Sequence, residues 1–311
     1  MRPPFSILSE SDSAAPHGAP HGAPHGAPHG APRGGRAHYR IGDDLLVALG
    51  YLLLVLTTAI LFLPLLVTAL MAFDSRTYLG PLPPPSLSLQ WFEKFFHDPY
   101  LIDGLKTSLA VSAIAVTVST AVGIGTALAL HRGFPGRDAA AAFFVSPLVV
   151  PPVVLGFALL LFLAGLDLSG EDAFIRLTLG HVILTVPYTI RATVAGFVGV
   201  DPRLREAALS LGATEGAAFR EVIFPMARTG IIAGAVFAFA VSIDDVAVSM
   251  FLSGATTYTL PVALVSNMRA NFDLTIAAAS LLLVGFTIGM IVILDRFVGL
   301  DRVVGSGLRS S

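Results

Sequence analysis

The 311 residues contain no cysteine, which excludes disulfides, thiolate metal sites and cysteine nucleophiles. Charge is scarce too. Asp, Glu, Lys and Arg make up 13% of the chain, against roughly 25% in an ordinary soluble domain. Lysine occurs only as Lys94 and Lys106. Neither lies in a glycine-rich phosphate loop, so this chain is not expected to hold a nucleotide in a site of that kind. There is no His-Glu-x-x-His pair, and no catalytic or metal-binding residues are assigned. What is abundant is apolar surface. The chain is 54% hydrophobic, with a mean hydropathy of +0.78, the composition of an integral membrane protein. A net charge of -2 gives no global signal for nucleic acid.

Three regions follow from composition. Residues 1–40 form a polar tail with four copies of Ala-Pro-His-Gly from Ala15 to Gly30, where a proline every fourth residue forbids a helix. Residues 41–300 form one membrane domain, and 301–311 a short polar tail. The start of the chain lacks the pattern of a signal peptide, so the first apolar run is expected to remain as a membrane anchor. The histidines of the repeat, His17, His21, His25 and His29, have ligand chemistry but are read as repeat expansion.

Six runs are long enough to cross about 30 Å of hydrocarbon: Leu45 to Phe73, Thr107 to Leu130, Ala139 to Leu163, Phe174 to Val200, Ile231 to Phe251 and Leu274 to Val298. The expected fold is therefore an all-α membrane protein of six transmembrane helices. Between the first two runs, Trp91, Phe95, Phe96 and Tyr100 mark an amphipathic segment at the outer interface. With the N-terminus inside, thirteen arginines fall on the cytoplasmic side against five basic residues outside. This places both termini in the cytoplasm.

The longest cytoplasmic loop, Asp201 to Gly230, carries its own helical punctuation. Asp201 followed by Pro202 is an N-cap with proline at the first helical position, and Gly212 supplies the left-handed stop. Thr214 caps a second short helix running toward Pro225. The result is a short helix between the fourth and fifth spans, with Ala207, Ala208 and Leu211 available to a partner's groove.

Glu206-Ala207-Ala208, Gly212 and Phe224-Pro225 resemble, at matching spacing, the EAA loop of bacterial ABC importer permeases, with Val222 and Phe224 in place of the usual isoleucine and leucine. The resemblance extends from about Leu87 to Val298 and is strongest to the second membrane subunit of spermidine/putrescine permeases. Opine, ferric-iron and phosphonate importers have similar permeases. It implies a non-enzymatic, multi-pass transport subunit of the bacterial inner membrane with no cofactor of its own. ATP and Mg would be bound by two cytoplasmic ATPase subunits that grip the coupling helix through Glu206, Ala207, Ala208, Gly212 and Pro225. A homologous permease and a periplasmic solute-binding protein would complete the assembly. An ion-coupled carrier is the rival from another class, but it has no need of a gripped cytoplasmic helix.

Asp244 and Asp245 are adjacent acids inside an apolar run, where each unpartnered aspartate opposes insertion by about 2.5 to 3.5 kcal/mol. On a continuous helix, Ser242, Asp245 and Ser249 share one face and Asp244 lies about 100° away, which makes Asp245 the better pathway residue. Molybdate permeases, which resemble this site in keeping an acid at the second position, imply instead a gate role for Asp245 and a substrate role for Asp244. Both readings stand at this level: contact with an organic cation, or a polar contact with the partner subunit. Pro147, Pro151, Pro152 and Pro187 are expected to interrupt helical hydrogen bonding. His181 is expected to hydrogen-bond a neighbouring helix, and Phe143, Phe144 and Phe157 to pack.

Overall fold

The computed structural model describes residues 36–132, 134–166, 172–270 and 272–298. The repeat-containing start and the 301–311 tail lie outside them. The chain divides into two compact units, Met1–Ala59 and Ile60–Ser311. Within the described part of the first, all residues are helical and belong to α1 (Arg36–Ala72), which continues into the second unit.

The remaining elements are α2 (Gln90–His97), α3 (Pro99–Arg132), α4 (Arg137–Val145), α5 (Pro152–Gly165), α6 (Ala173–Val198), α7 (Pro202–Ser210), α8 (Glu215–Ala218), α9 (Phe224–Ile243), α10 (Ala247–Leu252), α11 (Leu260–Ala270) and α12 (Thr275–Val298). Among the described residues five helices are long and apolar enough to cross a membrane. The third expected run is not one straight helix. The helical stretch Arg137–Leu148, which contains α4, and α5 meet at 102° across 149–151, so this run is a span only as a broken pair. Pro147, Pro151 and Pro152 explain the break, since each removes a donor and restricts the residue before it. Pro187, in contrast, sits inside an unbroken α6.

The fifth run also differs at both ends. Its helix begins at Glu215 rather than Ile231, because nothing between Thr214 and Ile243 stops it. Pro225 cannot donate to residue 221 and would clash with that carbonyl in a regular helix. The chain absorbs this with one wide turn over Phe219–Ile223, in which the Phe224 N–H reaches back five residues to Phe219 O. The other end is a break between α9 and α10 at Asp244–Val246, described below.

The centre of the second unit is the mutual packing of α3, α6 and α9. Its contact stripes are small and polar. Ser108, Ser112, Ala115 and Ser119 line α3, and His181, Thr185, Thr189 and Thr193 line α6, all buried. Membrane helices gain no hydrophobic drive from one another in lipid, so close backbone approach and interhelical hydrogen bonds take over. Thr189 Oγ1 donates to Ser119 O at 2.7 Å. α6 and α9 approach closely at Gly196 and Gly230, where a Cβ added to Gly230 would stand 2.6 Å from Gly196 Cα and 2.7 Å from Ala192 O.

Helix α2 is shorter than the expected amphipathic segment and is not merely surface-laid. It buries Trp91 and Phe95, the former with Ala72, Leu274 and Ala278, the latter with Leu101, Leu260 and Ala279. Trp91 Nε1 donates to Asp74 O at 2.7 Å, and Lys94 Nζ pairs with Asp273 at 2.5 Å. Burial by itself would raise the Asp273 carboxyl. Hydrogen bonds from Lys94 and Thr275 outweigh that and hold it below the ordinary carboxylate range. The hydrogen-bonded Arg76 guanidinium likewise holds Asp74 low.

Candidate functional site

Two features of the second unit carry functional chemistry: the α7 loop and the α9–α10 break. In the loop, Asp201 Oδ1 accepts from Arg203 N at 2.9 Å with Pro202 at the first helical position. Gly212 takes φ 88°, and the Ala213 N–H bonds Ala208 O at 3.1 Å, closing the C-terminus with otherwise orphan carbonyls satisfied. Thr214 Oγ1 then accepts from Ala217 N at 3.2 Å to open α8. Arg205 bonds both carboxylate oxygens of Glu215, with Nε at 3.1 Å from Oε2, so α7 and α8 are pinned together. Glu206 and Ala207 are exposed, Ala208 half-buried, and Leu211 is 89% exposed. Pro225 is exposed at the first turn of α9. Behind α7 lies a cavity of about 550 Å³ floored by Leu128, Phe197, Phe219 and Ile223 and rimmed by Arg205 and Glu206. The loop is thus a helix capped at both ends, with Leu211 uncovered at its C-terminus.

At the break, the last α9 hydrogen bond is from Asp244 N to Ala240 O at 3.3 Å. The expectation of a continuous helix with Asp245 on its polar face is corrected here. Asp245 has left the helix and become the cap of the next one. Its Oδ2 accepts from Ser249 N at 2.8 Å and its Oδ1 from Val248 N at 3.4 Å. A carboxylate at a helix start is the favourable arrangement, and it uses the acid to satisfy donors that the break would orphan.

Ser242 and Ser249 still come together, but through His181 rather than through helical phase. His181 Nδ1 lies 2.7 Å from Ser242 Oγ and Nε2 lies 3.0 Å from Ser249 Oγ, one serine on each side of the break. Ser242 in turn donates to Ser112 Oγ at 2.9 Å on α3. With that donation made, Ser242 oxygen accepts from Nδ1–H and the Ser249 hydroxyl donates to Nε2, a set that one neutral imidazole tautomer satisfies completely. The four side chains tie α3, α6, α9 and α10 into one buried knot. His181 therefore does bond neighbouring helices.

Asp244 faces the other way. It is exposed on a pocket of about 190 Å³ between the break, α11 and α12, lined by Val246, Pro261, Leu264, Val265, Met268, Ile276, Ser280 and Leu283. Among the described residues no group of three or more His, Cys, Asp or Glu could hold a metal ion. Phe143 and Phe157 are exposed, paired edge-on with Phe144 and Phe251.

Residues 119–300 match the family model of the binding-protein-dependent transport system inner membrane component. The chain belongs to this family of ABC importer permeases. Over 238 residues the permease is 30% identical to the spermidine/putrescine transport system permease protein PotC of Haemophilus influenzae, covering 76% of this chain and 90% of that protein. It is 28% identical over 239 residues to the putrescine transport system permease protein PotI of Escherichia coli, covering 75% and 84%. Among solved structures, a subunit of a bacterial ABC transporter that imports the acidic polysaccharide alginate matches with TM-score 0.64 at 16% identity, over 85% of this chain and 98% of that one. That likeness concerns the fold. The permease is thus a multi-pass inner-membrane transport subunit, all-α as its sequence implied.

Glu206, Ala207 and Ala208 of the permease lie on the short capped helix and Gly212 at its left-handed stop, as expected, whereas Pro225 lies inside a helix that runs on into the fifth span rather than at the end of a separate short one. The permease's two aspartates do not share an environment, and the side chain that bonds across the break, His181, was read only as a generic hydrogen-bonding partner. The signal was present as the seven-residue spacing of Ser242 and Ser249 with a lone membrane histidine one span earlier. Only packing pairs them.

Proposed function

We propose that this permease subunit imports polyamines, spermidine or putrescine in class, from a periplasmic solute-binding protein. The observation carrying the reading is Asp244, a carboxylate that accepts no hydrogen bond among the described residues and faces an apolar pocket at a helix break, in a chain 30% identical to a spermidine/putrescine permease. An aspartate within a membrane span is energetically costly and so points to a functional site, and an organic cation is the cargo it would serve. In this reading both termini are cytoplasmic, and α7 is the coupling helix. It docks into one of two ATPase subunits through Glu206, Ala207, Ala208 and Leu211, with the Gly212 turn and Pro225 fixing its angle. ATP and Mg belong to those subunits, and this chain performs no covalent chemistry. A homologous permease forms the other half of the path. ATP binding and hydrolysis displace α7, the Arg205–Glu215 pair carries the motion to α8, and α9 tilts with it. The access of the path then switches from the outer to the inner face.

The test is ATP-driven uptake of labelled putrescine and spermidine by the complete importer in proteoliposomes. Uptake that needs the ATPase and the binding protein is expected. Transport by the membrane subunits alone, without ATPase, would overturn the importer mechanism, and saturable uptake of an opine or phosphonate with no polyamine uptake would overturn the cargo.

A further inference from the structure

We propose that the cavity behind α7 is an effector site for an amphipathic organic cation, an ammonium or amidinium on an aryl or branched-alkyl body, whose occupant wedges α7 away from the bundle. The wedge effect rests on the reading of α7 as the coupling helix; the binding does not. The space is of ligand size. Its volume of about 550 Å³ falls within the roughly 300–1,000 Å³ of sites that enclose a whole small molecule. No residue of α7 is buried, so the helix above the cavity does not fill it.

The walls set the chemical class. The floor is apolar: Leu128 near the end of α3, Phe197 and Val200 at the end of α6, and Phe219 and Ile223 on the wide turn. Phe197 and Phe219 meet edge to face with ring centroids 6.0 Å apart. Leu128 and Phe219 are only half-buried, which leaves apolar surface for the body of a ligand. The rim is charged and unbalanced. Asp201, Glu206 and Glu215 stand against Arg205, and Arg205 is engaged by both oxygens of Glu215. Asp201 uses Oδ1 to cap α7, which leaves its Oδ2 and the exposed Glu206 for a cation. Carboxylates over a low-dielectric floor focus a field that favours positive charge, and phenyl faces add to the hold on an ammonium. An anion of the same shape is repelled. An occupant here lies between α7 and the ends of α3 and α6, so it blocks movement of α7 toward the bundle. ATP hydrolysis then continues with less cargo carried.

The experiment titrates the complete importer in nanodiscs by calorimetry with 4-phenylbutylammonium and with 4-phenylbutyrate, the same body with opposite charge. Wild type is expected to bind the cation saturably and at least tenfold more tightly than the acid. Leu128→Trp fills the floor and should weaken cation binding at least tenfold. Asp201→Asn keeps an N-cap residue while removing a rim charge; it should weaken binding several-fold, and it carries the test if Leu128→Trp fails to assemble. In proteoliposomes, the cation added with ATP on the ATPase side should lower uptake per ATP hydrolysed at least threefold in wild type, and not in Leu128→Trp. No saturable cation binding by wild type, or an affinity within twofold of wild type in either assembled variant, overturns the site. Saturable binding with unchanged uptake per ATP overturns the wedge. Uptake that proceeds without the ATPase overturns the coupling-helix reading and leaves the binding result standing.

Discussion

Replacing His181 by alanine removes both hydrogen bonds that span the α9–α10 break. In the native knot Nδ1 meets Ser242 at 2.7 Å and Nε2 meets Ser249 at 3.0 Å, and His181 is 1% exposed. Each partner hydroxyl left buried without a bond is worth about 1–3 kcal/mol. Ser242 retains its bond to Ser112 at 2.9 Å, and a serine in a helix can turn to a carbonyl of the preceding turn, so recovery is partial. Loss of the imidazole volume adds a cavity term, which for large-to-small changes brings the total to about 2–5 kcal/mol. The expected outcome is a fall of several degrees in the Tm of the assembled complex, with faster hydrogen exchange confined to 243–252. The α7 loop, which the knot does not touch, should keep wild-type protection. His181→Gln, which retains a donor and an acceptor, should recover part of the loss. An unchanged Tm for His181→Ala, with unchanged exchange at 243–252, would refute the idea that the histidine holds the break.

Gly230→Val places carbon against the backbone of Gly196 and Ala192, at 2.6 and 2.7 Å already from the Cβ. Backbone cannot yield as a side chain tip does, so membrane assembly should be lost, as measured by the yield of folded subunit in detergent. Gly212→Ala forces a side chain into φ 88°, a strain of about 1–2 kcal/mol; it should weaken ATPase co-purification without altering the break's hydrogen exchange. The ion pairs at Asp74 and Asp273 respond to acid. Asp74 and Asp273 have carboxyls held below their ordinary value, so their contribution is present above the unfolded carboxylate pKa and is lost as pH falls through the lower folded values. Protection of α2, corrected for intrinsic exchange, should drop at acid pH, and Asp273→Asn should blunt that dependence. The Lys94–Asp273 pair is partly exposed, so at neutral pH its loss should change stability by only about 0–1 kcal/mol.

Sequence alone determined the elements whose cause is local or compositional. Long apolar runs made the spans, because a bilayer imposes a length. The α7 loop was legible because Asp201, Gly212 and Thr214 act through bonds between residues two to five positions apart, and Pro202 through its own fixed φ. Family membership was legible for the same reason: the loop's spacing survives without knowledge of packing. The 102° bend between α4 and α5 lay half in view, as prolines announce a break but not its angle.

Tertiary structure alone decided the break between α9 and α10. Helical periodicity assumes that a helix continues, and there is no proline or glycine from Ala235 to Leu252 to interrupt it. What stabilises the interruption is remote in sequence: His181, 61 and 68 residues from the serines it joins, and Ser112, 130 residues from Ser242. Those contacts make it favourable for the chain to leave the helix at Asp244, and leaving it separates the two aspartates. One turns inward to cap α10 and the other outward to the pocket. Adjacent residues of identical chemistry thus acquire different work from packing that neither specifies by itself.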